Sequence, residues 1–253
     1  MLIEERYKKI VDLVNEHGSM RVTQLSQICN VTEETIRRDL AKLEAEEKLV
    51  RSHGGAVSIQ ERQVEIPFDR REITNVEQKK KIAAEAVKLI YPNERIYLDA
   101  STTAWYTASI IPNIPLTVLT NSIKVALELS EKDRIDVIVI GGSLSQSTLS
   151  FIGPLAERSL ENYFVDKAII SCKGIDLTRG LSDSNEMQAR LKQKVMSLAD
   201  KIILMADYSK FGVNAFTKVG AITSIHSIIT DESTAEDVVI ELKEKDIDVI
   251  VAN

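Results

Sequence analysis

Apolar side chains recur at helical spacing from the start of the chain. Ile3, Tyr7, Ile10, Val11 and Val14 form one stripe over residues 3 to 16, which predicts an amphipathic helix stopped by Gly18. A second helix fits Val22 to Cys29, with Val22, Leu25, Ile28 and Cys29 on one face, and Asn30-Val31-Thr32 reads as the turn after it. Thr32 is a suitable N-cap, and Glu33-Glu34 place negative charge at the positive end of a helix. A third helix is therefore predicted to about Glu46, with Ile36, Leu40 and Leu43 facing inward. Leu49 to Ser52 then reads as a short strand, His53-Gly54-Gly55 as a tight turn and Ala56 to Ile59 as the returning strand. That order of elements predicts a winged helix-turn-helix domain over residues 1–58, the helix-turn-helix lying at about 20–39.

Residues 59–73 are polar, hold Pro67 and follow neither helical nor strand period, so they read as a linker. From Thr74 the texture changes to helices alternating with short β-branched runs. Helices are expected at Val76–Ile90, Ala104–Ile110, Ile123–Leu129, Pro154–Asn162, Glu186–Leu198 and Ala235–Lys245. Strands are expected at Arg95–Leu98, Leu116–Leu119, Val137–Ile140, Ala168–Ser171, Ile202–Met205, Phe216–Val219, Ile228–Thr230 and Asp248–Val251, with an irregular stretch at Gly141–Gly153. Runs such as Val137–Ile140 and Ile202–Met205 are apolar at every position, as strands covered by helices on both faces must be. Residues 74–253 are thus predicted to be a mainly parallel α/β domain.

Composition narrows the function. The chain has 253 residues, 44% hydrophobic, and no apolar run of membrane-spanning length, and its N-terminus is charged within four residues, so a cytoplasmic protein is expected. Two cysteines, Cys29 and Cys172, and three scattered histidines suggest neither a disulfide scaffold nor a metal site, and no cofactor is expected. Net charge is −6, and residues 1–58 hold nine Lys and Arg against ten Asp and Glu, so any DNA contact must come from local clustering.

Such clustering is present. Arg37, Arg38 and Lys42 flank Thr35 on the third helix, Thr32 caps it, and Arg51 and His53 sit on the wing. In a winged helix-turn-helix these residues would read base edges in the major groove or hold phosphates of double-stranded DNA. The bland alternative is a solvated helix surface, with Arg38 paired to Glu34 one turn back. In the second domain, Asp99 and Ser101-Thr102-Thr103 lie where a strand gives way to a helix, a geometry suited to phosphate but also to simple capping. Strand ends recur at Asn121 and Gly142, and several such edges at the carboxyl ends of parallel strands mark a ligand cleft. Lys173 and Lys210 supply charge for a phosphate, and Asp176, Asp183, Asn185 and Glu186 supply partners for sugar hydroxyls around Gly174.

The stretch MRVTQLSQICNVTEETIRRDLAKLEAEEKLVRSHGGAV resembles the N-terminal module of the DeoR-type family of bacterial transcriptional regulators, departing from it at Glu47-Lys48, where many members have glycine. LDASTTA, LTNS, GGSL, SFIGPLAE, SCKGID, GLSDSNEMQA and ADYSKFG follow in the family's order, so the resemblance spans nearly the whole chain. It implies a repressor of a sugar-catabolism operon, a homo-oligomer (dimer or tetramer), whose C-terminal domain resembles ribose-5-phosphate isomerase and binds a phosphorylated sugar. SCKGID with GLSDSNEMQA is most similar to members governing rhamnose or fucose catabolism, which implies a ketose 1-phosphate of a deoxyhexose as effector. The alternative is a sugar-phosphate isomerase with an accessory helical domain. Against it, the isomerase pattern has an acid before the glycine where Lys173 stands, and a catalytic Glu on the helix that here reads Leu191-Lys192-Gln193-Lys194.

Overall fold

A computed structural model of the chain describes residues 2–46, 48–52, 54–58 and 65–253. The N-terminal elements are helix α1 (Ile3–His17), strand β1 (Ser19–Arg21), helices α2 (Val22–Cys29) and α3 (Glu33–Ala45), and strands β2 (Val50–Ser52) and β3 (Gly55–Val57). The three strands form an antiparallel sheet ordered β1-β3-β2. Gly18, at φ 76°, ends α1, and Asn30, at φ 52°, turns the chain between α2 and α3. Thr32 caps α3 by accepting the Thr35 N–H at 3.2 Å. The predicted inward positions do meet: Ile10, Val14, Leu25, Ile36, Leu40 and Leu43 share one core with Met20, Leu49 and Ala56.

Inside this core lies an ion pair that periodicity did not announce. The Arg6 guanidinium of α1 donates to both carboxylate oxygens of Asp39 on α3, at 2.6 and 3.1 Å, with both residues buried. The Asp39 hydrogen bond outweighs the cost of burial and raises the arginine's pKa. β1 was also missed, because three residues show no period and pairing with β3 alone defines them. A Cβ at Gly55 would stand 2.2 Å from the Met20 carbonyl oxygen, so only glycine lets β3 approach β1 there.

Residues 65–73, expected as linker, are instead seated on the second domain. They include helix α4 (Phe68–Glu72), whose Phe68 is 1% exposed. The Phe68 N–H donates to the Ser147 carbonyl at 2.7 Å, and the Tyr106 hydroxyl donates to the Glu72 carbonyl at 2.9 Å. Five residues with one apolar anchor carry no helical period, so tertiary contact decides this helix. The expected linker positions 59–64, and Ile59 of the returning strand, lie outside the described residues.

The second domain is built on seven parallel strands ordered β15-β14-β12-β9-β4-β5-β6. These are β4 (Arg95–Leu98), β5 (Leu116–Thr120), β6 (Ile135–Val139), β9 (Val165–Ile170), β12 (Ala199–Met205), β14 (Ser227–Asp231) and β15 (Asp248–Ala252). Alternate residues enter opposite cores. Ile96, Leu98, Ile169, Ile203 and Met205 pack under helices α5 (Val76–Lys88), α6 (Thr102–Ile110) and α7 (Ile123–Leu129). Tyr97, Ala168, Ile170, Ile202 and Leu204 pack under α8 (Pro154–Leu160), α9 (Glu186–Leu198) and α10 (Glu236–Glu244). The stretch Gly141–Gly153 contains the hairpin β7 (Ser143–Ser145) with β8 (Ser150–Ile152), and strands β10 (Gly174–Asp176), β11 (Gly180–Asp183) and β13 (Thr217–Gly220) make a small antiparallel sheet. From β4 the chain builds outward through β5 and β6, then returns to β9 on the other side of β4 and continues to β12, β14 and β15. The reversal leaves a crevice at the carboxyl ends of β4 and β9, where an open α/β sheet takes its ligand.

Candidate functional site

That crevice holds a cavity of about 90 Å³ that opens to solvent. Its floor comes from the loops after the central strands. Asp99, following β4, accepts the Ser101 N–H at 3.1 Å and the Ser171 N–H at 2.9 Å, which ties the β4 and β9 loops together. Ser101 caps α6 by accepting the Ala104 N–H at 3.0 Å, and Ser101, Thr102 and Thr103 line the cavity. Lys192, on α9, lies against Asp183 at 2.6 Å and Asp99 at 3.5 Å. Burial pulls the Lys192 pKa down, but the two carboxylates outweigh it and hold it above the ordinary lysine value. Beside it, burial pushes the Cys172 thiol up to about 12.

The third loop, after β12, is the turn Tyr208–Lys210. Asp207 accepts from the Ser209 N–H at 3.0 Å and from Asn75 Nδ2 at 3.1 Å. Burial works against ionisation of its carboxyl, yet Lys210, Lys79 and the Ser209 hydrogen bonds prevail and lower its pKa. Asp207, Ser209 and Lys210 line the cavity, whereas Tyr208 faces the winged domain: the Arg21 guanidinium, at the foot of α2, lies 4.3 Å from its ring centroid. Arg21 also stands 3.7 Å from Asp231, which accepts the Tyr208 N–H at 2.8 Å. Burial pushes both the Tyr208 hydroxyl and the Asp231 carboxyl above their usual ranges. Ser19 and Val57 of the winged domain, Glu65, Ile66 and Arg71 of the connecting segment, and Asn75 at the start of α5 complete the walls.

Of the residues expected from sequence, Ser101, Thr102, Thr103, Lys173, Asp183 and Lys210 line the cavity, with Asp99 directly behind. Six others do not line it. Asn121 is buried between the Tyr97 hydroxyl, at 2.8 Å, and the Phe151 carbonyl, at 3.0 Å. Gly142 and Gly174 serve close packing, since a Cβ would lie 2.7 Å from the Ile152 oxygen in the first and 2.3 Å from the Val213 oxygen in the second. Asp176 closes the β10–β11 turn by accepting from the Thr178 and Arg179 N–H groups. Asn185 caps α9 by accepting from the Met187 and Gln188 N–H groups, and Glu186 pairs with Arg190 on the surface. Sequence reasoning missed Arg71, Asn75, Lys79, Gln188 and Lys192; for Lys79, Gln188 and Lys192 the only signal was a lysine or glutamine falling on the inward phase of a helix. Among the lining residues Arg71, Lys79, Lys173, Lys192 and Lys210 outnumber the carboxylates Glu65, Asp183 and Asp207, which suits an anionic ligand bearing hydroxyls.

On the winged domain, α3 presents Arg37 and Arg38 to solvent. Arg37 pairs with Glu33 at 2.8 Å and Glu34 at 3.6 Å, so the expected alternative of Arg38 with Glu34 is replaced by Arg37 with both acids. Thr32 and Thr35 are joined at the cap, their hydroxyls 2.9 Å apart. Lys42 reaches over the Tyr7 ring of α1, 5.4 Å from its centroid. Arg51 is exposed on β2, its N–H held by Glu44 at 2.9 Å, and His53 lies outside the described residues.

Comparison with known proteins finds two family matches along the chain. Residues 6–62 match the family described as the DeoR-like helix-turn-helix domain, and residues 74–232 match the DeoR C terminal sensor domain. The chain is 58% identical to the uncharacterized HTH-type transcriptional regulator YulB of Bacillus subtilis, over 91% of this chain and 90% of that protein. It is 39% identical to the L-fucose operon activator of Haemophilus influenzae, over 90% and 92%. It is 34% identical to the HTH-type transcriptional repressor GlcR of Bacillus subtilis, over 91% and 89%. A solved ribose 5-phosphate isomerase from Methanocaldococcus jannaschii aligns over 54% of this chain with a TM-score of 0.41 at 19% identity.

Proposed function

Because this chain belongs to the DeoR family of transcriptional regulators, we propose that it is a repressor of a sugar-catabolism operon whose cavity binds a phosphorylated sugar. The observation that carries the effector reading is the cavity itself: cationic side chains and the first turn of α6 converge at the switch point of a parallel sheet. Its acids and hydroxyls suit a polyol. A ketose 1-phosphate of a deoxyhexose is the candidate. Lys173 and Lys192, in the segments where an isomerase carries carboxylates, both line the cavity, and Asp183 and Asp99 are engaged with Lys192. Such a pocket binds without shuttling a proton between carbons. The reading is tested by titrating the protein with sugar phosphates, following binding and turnover together. Binding without turnover is expected, and turnover would sink the sensor reading. Deleting the gene should raise transcription of the operon it controls, and a fall would make it an activator.

Lys210 makes no ion pair or side-chain hydrogen bond among the described residues, and its charge acts on Asp207, which lines the same cavity. Lys210→Ala is expected to raise the effector's dissociation constant about tenfold to a hundredfold, the loss of one charge-assisted bond. Operator affinity without effector should stay as in wild type. An unchanged effector response would place the phosphate elsewhere.

Operator DNA is the proposed partner of α3 and the wing, engaged by a homo-oligomer whose paired α3 helices reach successive major grooves. Arg38, exposed and without an ion pair among the described residues, is the better candidate for a base contact, since Arg37 is shared between Glu33 and Glu34. Arg38→Ala should cost about 1 to 3 kcal/mol of operator binding, and Arg37→Ala less. Gel-shift titration at fixed salt, with circular dichroism as folding control, decides the matter, and undiminished affinity of Arg38→Ala would mean that another face reads the DNA.

A further inference from the structure

Most cationic groups of the cavity have visible protein partners. Lys192 is held by Asp183 and Asp99, and Lys79 Nζ donates to the carbonyls of Arg71 and Thr74. Arg71 differs. Its Nε donates to the Ile66 carbonyl at 3.0 Å, which fixes the guanidinium plane, while its Nη2 is buried and has no hydrogen-bond partner among the described residues. A buried donor left unmade is costly, and native proteins keep few of them. Arg71 lies on α4, and α4 is seated across the beginning of α6 by an edge-to-face contact of Phe68 with Trp105, centroids 6.1 Å apart, and by the Tyr106 hydroxyl on the Glu72 carbonyl. Arg71 and the first turn of α6 therefore border one cavity. A planar fork of N–H groups matches a phosphate monoester bidentately, as a lysine ammonium does not.

Resting on the sugar-phosphate reading of this pocket, we propose that Arg71 of the connecting segment grips the phosphate of the effector, so that the ligand fastens the connector between the two domains to the switch point of the sheet. The assignment gives the segment before the sheet a ligand-binding role and makes the phosphate, rather than the sugar, the group that engages it.

The test uses the full chain and isothermal titration with inorganic phosphate, ribose 5-phosphate, fructose 1-phosphate and fructose 6-phosphate, each sugar phosphate beside its free sugar. Arg71→Met should weaken the best phosphorylated binder about tenfold to a hundredfold and leave the free sugar's binding unchanged, and Arg71→Lys should recover part of the loss. Wild-type affinity should rise as pH passes the second ionisation of the phosphate near about 6, with a flatter rise in Arg71→Met. A merely structural arginine would lower affinity for free and phosphorylated sugar alike and leave the pH slope as in wild type, which would overturn the proposal. So would equal affinities in wild type and Arg71→Met. Either of these spares the sensor reading, whereas a wild type that binds none of the phosphorylated compounds overturns that reading and this inference with it.

Discussion

Asp39→Ala is expected to destabilise the winged domain by about 3 to 5 kcal/mol, the cost of stranding a buried cation. Arg6 reaches Asp39 through two hydrogen bonds inside the α1–α3 contact, and no other partner of its guanidinium is seen among the described residues. The loss can be read domain by domain, because the chain's single tryptophan, Trp105, belongs to α6 of the second domain. Urea unfolding followed by far-ultraviolet circular dichroism should show an early transition in the variant, while tryptophan fluorescence keeps its wild-type midpoint. Replacing both partners, Arg6→Met with Asp39→Leu, should restore most of the stability, since an apolar pair of similar volume carries no desolvation cost. A loss below about 1 kcal/mol, typical of exposed pairs, would mean that solvent reaches this one.

Lys192→Met should have a comparable effect on the other domain, about 3 to 5 kcal/mol, and with a pH signature. Removing the ammonium leaves Asp183 and Asp99 buried and facing each other's charge. Buried carboxylates without a cation favour the protonated form, so the folded variant binds more protons than its unfolded chain over the window above the ordinary carboxylate range of about 4. Its stability must then fall as pH rises through that window. Wild type has the opposite arrangement: the raised lysine pKa contributes stability that is complete below about 10.4, the unfolded lysine value, and is lost only above it. Unfolding midpoints from tryptophan fluorescence at pH 5 and pH 8 should diverge in the variant and stay close in wild type. Equal midpoints in the variant would show that water or another cation replaces the ammonium.

Sequence revealed the elements whose boundaries are set locally and hid those set by partners. Ile202–Met205 reads as a central strand because both of its faces are apolar, and Thr32 and Ser101 announce the helices they cap. β1, β7 and β8 are three residues each, and nothing but the opposing strand defines them. The same distinction governs the site. Ser101, Lys173 and Lys210 were legible as residues just past strand ends. Asn121 and Gly142 also follow strands, but β5 and β6 lie on the far side of β4 from β9, and a sequence does not state strand order. Lys192 and Gln188 required the rotational phase of α9, and Arg71 required knowing that a polar segment ahead of the sheet folds back over it.

The contact of Arg21 with Tyr208 and Asp231 joins the two halves of the chain beside the cavity. The turn that receives Arg21 on one side offers Ser209 and Lys210 to the cavity on the other. If occupying the cavity changes operator affinity by some factor, then occupying the operator must change effector affinity by the same factor. The effector threshold is then no property of the cavity alone. On the proposed reading, copies standing on an operator would answer at one concentration of effector and copies free in solution at another, so the dose at which transcription changes would depend on how much regulator the cell holds relative to its operators.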